Sequence, residues 1–232
     1  MDLKRHRSIA IDGPSGAGKS TLAKRLAKEL GYRYVDTGAI YRTVALAALR
    51  AGIDPADESR VAALLPGIRI GMDYDGDGLQ HMYLDGEDVT GAIRENRVSA
   101  GASKAAAIPA VRDFLLDTQR ELAREHDVIM DGRDIGTVVL PDADVKIFLT
   151  ATPEARAERR WRELLERGQS TDKARVLQEV MERDARDSDR ASAPLRQAED
   201  AVPADTTELD FEGSYRLLLR IIQERLGGTP NE

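Results

Sequence analysis

The sequence contains no cysteine, which excludes disulfides, thiolate metal sites and cysteine nucleophiles and agrees with a reducing cytoplasm. It has no apolar run near the roughly 20 residues that a bilayer crossing needs. The basic start Met1–Arg7 is followed by no signal-peptide core. Neither a membrane span nor a secretory leader is expected, and the chain is assigned to the cytoplasm. Histidine is scarce: His6, His81 and His126 sit in unrelated contexts and suggest no triad or metal cluster. Basic residues are outnumbered, 34 Lys and Arg against 41 Asp and Glu, and the net charge of −7 speaks against a general nucleic-acid binder. Internal repeats are absent. What remains is a globular composition, 41% hydrophobic and 32% charged, in 232 residues that fit one large domain or a core with a modest insertion.

One stretch organises the chain. Gly13-Pro14-Ser15-Gly16-Ala17-Gly18-Lys19-Ser20 follows the apolar run Ser8-Ile9-Ala10-Ile11. It fits the phosphate-loop pattern G-x-x-x-x-G-K-[ST], with a buried strand before it and a helix over about 19–30 after it. The glycines permit backbone angles that turn successive N–H groups toward an anion. Lys19 brings a mobile positive charge to the outer phosphates, and the Ser20 hydroxyl can ligate Mg²⁺. The helix directs its positive dipole end at the same phosphates. A nucleoside triphosphate is the expected ligand. No N-K-x-D segment is present to read guanine, which disfavours a GTPase-type switch, and the intact Lys19 and Ser20 disfavour a merely structural loop.

Along the chain, 32–36 reads as a second strand and Thr37–Arg42 leads into a helix to about 51. Strand–helix alternation with short connections predicts an α/β fold with a parallel sheet. The rhythm breaks over about 52–103. Ile68–Met72 and Gln80–Leu84 alternate as half-exposed strands, and 85–90 suggests a tight turn and a third short strand. Asp73, Asp75, Asp77 and Gly78 imitate the opening of a calcium loop, but Leu84 stands at the twelfth position where Glu is required, so a polar hairpin is expected. Helical patterns resume at about 92–107 and 109–125, strands at 127–130 and 145–149. Pro153 starts a charged helix interrupted at Gly168–Asp172, and a second helix runs to about 190. Residues 200–205 form a weak strand that Pro203 restricts to a sheet edge or an irregular course. An amphipathic helix over 211–226 and a loose tail over 227–232 close the chain.

Ligands of parallel sheets sit beyond the carboxyl ends of the strands, where the phosphate loop, 36–42 and 131–134 all fall. Lys19, Arg42 and Arg133 therefore meet several carboxylates in one crevice. Asp131 ends an apolar strand and suits a carboxylate that orients Mg²⁺ or its waters. Asp134 either serves the site or pairs with neighbouring Arg133. A second arginine cluster, Arg183, Arg186 and Arg190, has the i, i+3, i+7 spacing of one helix face, with Arg183–Asp187 pairing as the simpler account. Two charged helices around a polar loop also make a lid that can close arginines over phosphates. An acceptor whose nucleophile is a phosphate oxygen needs no general base, which accounts for many arginines and no candidate base.

The segments IDGPSGAGKST, DTGAIYR, LDGEDVT, DGRDIGTVV-x-PDA-x-VKIFL and ERD-x-RD…R-x-x-APL together resemble the bacterial cytidylate kinases, over about 11–195. That resemblance implies a P-loop NTPase-like parallel five-stranded sheet flanked by helices, with an antiparallel monophosphate-binding insertion and a helical lid. It implies one kinase domain: core 1–51, 104–155 and 190–232, insertion about 52–103, lid about 156–189. It implies ATP and Mg²⁺ as cofactors, CMP and dCMP as substrates, no nucleic acid or membrane partner, and a monomer. Gly13 through Thr21 would hold ATP, with Mg²⁺ at Ser20. Lys19, Arg133 and Arg190 would be catalytic. The CMP phosphate would meet Arg42, Arg133 and Arg190 with Tyr41 and Thr37 nearby, the base Ser103, Arg112 and Asp134, and the ribose Arg183 and Asp187; Asp131 joins this substrate side. Thr37 stands where Ser is also common and keeps the hydroxyl. Arg159 or Arg160 is a positional candidate for stacking on adenine. Another P-loop small-molecule kinase, for UMP, AMP or shikimate, is the alternative, and Ser103, Arg112 and Asp134 favour CMP.

Overall fold

Alternating strands and helices build a parallel sheet in the computed structural model, which describes residues 6–166 and 168–227. Residues 1–5 of the basic start and residues 228–232 of the tail expected over 227–232 lie outside the described residues. The chain begins β1 (Ser8–Asp12), α1 (Lys19–Leu30), β2 (Arg33–Asp36) and α2 (Thr37–Arg50). The middle comprises α3 (Glu58–Leu64), β3 (Ile70–Tyr74), β4 (Gln80–Leu84), β5 (Glu87–Asp88), α4 (Asn96–Ala105) and α5 (Pro109–Glu125). It ends with β6 (Val128–Gly132), β7 (Val145–Thr150), α6 (Pro153–Glu166), α7 (Lys173–Ser188), β8 (Val202–Asp205) and α8 (Phe211–Arg225).

Five strands pair in parallel in the order β2-β6-β1-β7-β8. The chain leaves central β1 toward one edge and later crosses to the other, so its phosphate loop opens at the switch point of the sheet. Period-2 alternation divides the core between two faces. Ile9, Ile11, Ile129 and Ile147 pack with residues of α1 and α8, while Ala10, Val35, Val128 and Met130 pack with α2, α4 and α5. Among the described residues the weak strand is an edge strand: β8 pairs only with β7, and Pro203, which has no N–H to donate, lies opposite Phe148.

Strands β3, β4 and β5 form the expected antiparallel meander. The calcium-like stretch is its hairpin turn, where Asp75 accepts from the Asp77 and Leu79 N–H groups at 3.0 and 2.9 Å. Met82 and Leu84 carry the meander into the same core as α2. The third strand is short, as expected, over Glu87–Asp88, but one expectation needs correction: the single helix expected over 92–107 is divided. Residues 92–94 make one tight turn, Glu95 is extended (φ −60°, ψ 144°), and α4 starts afresh at Asn96. Helices α6 and α7 enclose a small core of their own, Ala157, Leu164, Val176 and Val180, with Trp161 and Leu177 against it. Among the described residues no helix is long and apolar enough to cross a membrane.

Candidate functional site

Strands β1 and β6 run in register, Ile11 opposite Asp131 and Asp12 opposite Gly132, so the phosphate loop and the 131–134 segment leave the sheet side by side. Asp36 lies opposite Asp131 on the other flank, which brings the start of α2 to the same end. Backbone register thus assembles the site before any side chain is considered.

Gly13 is fixed by crowding as well as by angle. Its φ is +149°, and a Cβ there would stand 1.9 Å from the Leu149 carbonyl oxygen at the end of β7. Lys19 folds back over the loop, donating to the Gly13 and Pro14 carbonyls at 2.7 Å each. Burial, then the nearby Arg133 charge, holds its ammonium pKa well below the usual lysine value. The Ser20 hydroxyl donates to Asp131 Oδ2 at 2.8 Å, and the Tyr34 hydroxyl donates to Oδ1 at 2.8 Å. Burial and the Asp36 charge push the Asp131 carboxyl up. Thr37 donates to the Asp131 carbonyl at 2.7 Å.

Asp36 caps α2 by accepting from the Ala39 N–H at 2.9 Å and pairs with Arg42 at 2.7 Å. Its own N–H donates to Gln80 Oε1 at 2.7 Å, which ties the meander to the cleft. Deeper in, Arg112 and Asp134 form a buried ion pair, with the Arg112 guanidinium 5.7 Å from the Tyr41 ring centroid. Burial raises the Asp134 carboxyl, opposed by Arg112, Arg190 and Arg133. Asp187 accepts from Arg133 Nε at 2.8 Å and from the Ser103 hydroxyl at 3.3 Å. Burial works against its charged form too, but Arg133, Arg183 and Arg190 outweigh burial and hold it below the ordinary carboxylate range. Burial, then Arg133, lowers Arg183 to about 10. Arg42 Nε, Arg183 Nε and Arg190 Nη2 are buried without a hydrogen-bond partner.

These groups line a cleft of about 520 Å³. Ser15, Gly16, Gly18, Lys19, Ser20 and Thr21 form one wall of it. Thr37, Tyr41, Arg42, Ser103, Arg112, Asp131, Arg133, Asp134, Arg183, Asp187 and Arg190 form the rest of the expected set. Gly13, Pro14 and Ala17 support the loop without lining the cleft; Ala17 is buried in the core with α1.

One expected helix face and two expected pairings are different in the folded chain. Arg186 is exposed, and Arg190 lies beyond the end of α7 at Ser188, so the three arginines do not share one helix face. The helix stops at Asp189, and Arg190 turns in, its Nε donating to the Asp187 carbonyl at 3.2 Å. Asp187 pairs with Arg133, just past the end of β6, instead of Arg183 on its own helix, and Asp134 pairs with Arg112 instead of adjacent Arg133. Of the two adenine candidates, Arg159 is engaged by the Thr206 and Leu209 carbonyls, whereas Arg160 lines the cleft and pairs with Glu163 at 2.8 Å.

Sequence reasoning missed several contributors. Arg156 on α6 is buried, donates to the Ser15 carbonyl at 2.9 Å and pairs with Asp184 on α7, fastening the charged helices to the phosphate loop. Lys24, Arg94 and Ser99 also line the cleft. Asp12 was legible by the same signal as Asp131, a carboxylate ending an apolar strand. Among the described residues no group of three or more His, Cys, Asp or Glu side chains is arranged to hold a metal ion.

A phosphate loop at the switch point of a parallel sheet, facing a second pocket rich in arginine, defines a P-loop phosphotransferase acting on a small anionic acceptor. The family model for cytidylate kinase matches residues 9–224. A cytidylate kinase from Pelotomaculum thermopropionicum is 49% identical over 91% of this chain and 94% of its own. Those of Geobacter sulfurreducens (49%, covering 98% of this chain and 97% of that one) and Exiguobacterium sp. (47%, 96% and 99%) are similar. The chain belongs to the cytidylate kinase family, whose members are nucleoside monophosphate kinases.

Proposed function

We propose that this cleft transfers the γ-phosphoryl group of ATP to CMP or dCMP, releasing ADP and CDP or dCDP, by alignment and charge neutralisation with no general base. An acceptor phosphate oxygen forms the new P–O bond as the bond to the ADP oxygen breaks; that oxygen is already ionised near neutral pH, so no proton has to be removed first. The observation that carries this reading is the pair of buried, unpartnered guanidinium nitrogens on Arg42 and Arg190 in the same cleft as Lys19. Buried donors without acceptors are costly, and phosphate oxygens are the acceptors that planar guanidinium groups match best.

In this reading Gly13 to Thr21 cradle ATP, and Lys19, Arg133 and Arg190 neutralise the charge that develops during transfer. Arg42, with Tyr41 and Thr37, takes the acceptor phosphate; Arg183 and Asp187 take the ribose. Asp134, Arg112 and Ser103 take the base, an Asp oxygen accepting from the cytosine amino group and the donors meeting its carbonyl and ring nitrogen. Mg²⁺, when bound, would supply positive charge that offsets the nucleotide phosphates. Ser20 and Asp131 suit it: one hydroxyl and one carboxylate, 2.8 Å apart, would hold the ion through hard oxygen donors. Residues 52–103 act as the monophosphate-binding insertion and 156–189 as the lid, on a core of 1–51, 104–155 and 190–232. The separate small core of α6 and α7 supports a lid that moves as a unit.

An ADP-release assay with ATP, Mg²⁺ and each monophosphate tests this, on the native chain and Asp134→Ala. CMP and dCMP are expected well above UMP and AMP, with CMP turnover collapsing in the variant. UMP turnover equal to that of CMP, or a variant that keeps its preference, would refute the base assignment.

A further inference from the structure

Most helices here that begin with an aspartate are capped by that aspartate. Asp36, Asp57, Asp172 and Asp210 each accept a backbone N–H from the first turn of the helix they precede. Asp134 occupies the same position before the turn 135–139, a wide turn closed by the Val139 N–H donating to the Asp134 carbonyl and the Leu140 N–H donating to the Ile135 carbonyl. Yet its side chain caps nothing. It faces Arg112 instead. The free N–H groups of Ile135 and Gly136 are taken from across the sheet by Asp12, Oδ1 accepting at 2.8 Å and Oδ2 at 2.7 Å.

We propose that Asp12 is a positioning residue for the acceptor side of the cleft: by capping the 135–139 turn from β1, it leaves the Asp134 carboxylate free for the acceptor base. The inference rests on the assignment of Asp134 to the base. Two backbone donors need two acceptor oxygens on one side chain, and only an ionised carboxylate supplies both without presenting a donor. If Asp12 could not do so, Asp134 would be the nearest carboxylate to its own turn, and turning back to cap it would break the Arg112 pair. Gly136 keeps the arrangement tight, because a Cβ there would meet the Lys146 side chain at 3.1 Å and Asp12 Oδ2 at 3.4 Å.

The test is a double-mutant cycle of Asp12→Asn and Asp134→Ala, measuring KM and kcat for CMP and for ATP in folded protein. Asp12→Asn is expected to raise KM for CMP at least tenfold and KM for ATP less than threefold. Within the Asp134→Ala background the same change should add less than twofold to KM for CMP. A purely structural role would lower activity with both nucleotides alike, and the two changes would multiply; either result overturns the proposal. If Asp134→Ala alone leaves KM and preference for CMP untouched, the base assignment fails, and Asp12 cannot act through it. If Asp134→Ala has its effect and Asp12→Asn has none, only the positioning role fails. Should Asp12→Asn not fold, Asp12→Ser, smaller and with one acceptor, takes its place with the same expected pattern. Failure of both to fold would overturn the proposal, making Asp12 a requirement of the sheet rather than of the site.

Discussion

Asp12 also makes a prediction about stability. Its carboxyl is buried at the centre of the sheet, and desolvation pushes its pKa up from 3.8 to about 6; the Gly136 and Ile135 N–H groups and Lys19 pull it down, while Asp134 pushes it up. A raised carboxyl pKa means that the folded state binds a proton more tightly than the unfolded chain. Ionisation of Asp12 therefore opposes folding, and the penalty appears as pH rises from 3.8 through 6. A shift of about two units corresponds to about 3 kcal/mol at pH 7, of which about 2 kcal/mol is relieved on going down to pH 4.5. Asp12→Asn has no such titration, and it pays instead a fixed cost of about 1–3 kcal/mol for turning an NH₂ group against a backbone N–H. The two proteins should thus have similar stability at pH 7, and the native chain should lead by about 2 kcal/mol more at pH 4.5 than at pH 7. Urea unfolding of both at matched pH gives the difference directly and cancels every carboxylate they share. A difference that stays flat within about 0.5 kcal/mol over that range would refute the burial argument, because Asp12 would then titrate as in the unfolded chain.

Other substitutions probe the loop and its fastening. Gly13→Ala places a methyl group 1.9 Å from the Leu149 carbonyl oxygen. It should cost more than about 4 kcal/mol of stability or displace the loop, with ATP-dependent turnover down at least about 100-fold; a melting temperature and turnover near the native values would refute that close approach. Arg156→Ala leaves the Ser15 carbonyl and Asp184 without their donor. A loss of about 2 kcal/mol is expected for acceptors left without their donor, together with a higher KM for ATP; an unchanged KM for ATP would show that the α6–α7 pair does not set the loop.

Much of the fold and site was determined by the sequence alone, where neighbours along the chain decide the outcome. The phosphate loop, the limits of α1 and α5, the hairpin at 75–79 and the edge position of Pro203 all follow from local angles, caps, alternation or a missing donor. The switch from sheet to meander over 68–88 was legible for the same reason. The segment 92–107 was not, because apolar periodicity continues through Glu95 while its backbone is extended.

Partner choice was decided only in three dimensions. Spacing along a helix offered Arg183 to Asp187, yet Arg133 holds it from 54 residues away; adjacency offered Arg133 to Asp134, yet Arg112 holds it from 22 residues away. Arg156 and Asp12 carry no local pattern that names their partners, and Arg186, with the same spacing as its neighbours, faces water. The physical reason is that ionic and hydrogen-bond partners are chosen by distance and by the cost of leaving a buried charge unpaired, and both depend on how the strands and helices pack. Sequence identified the kinds of groups that suit phosphate, while the register of β1 against β6 and the packing of α7 determined which carboxylate each arginine meets.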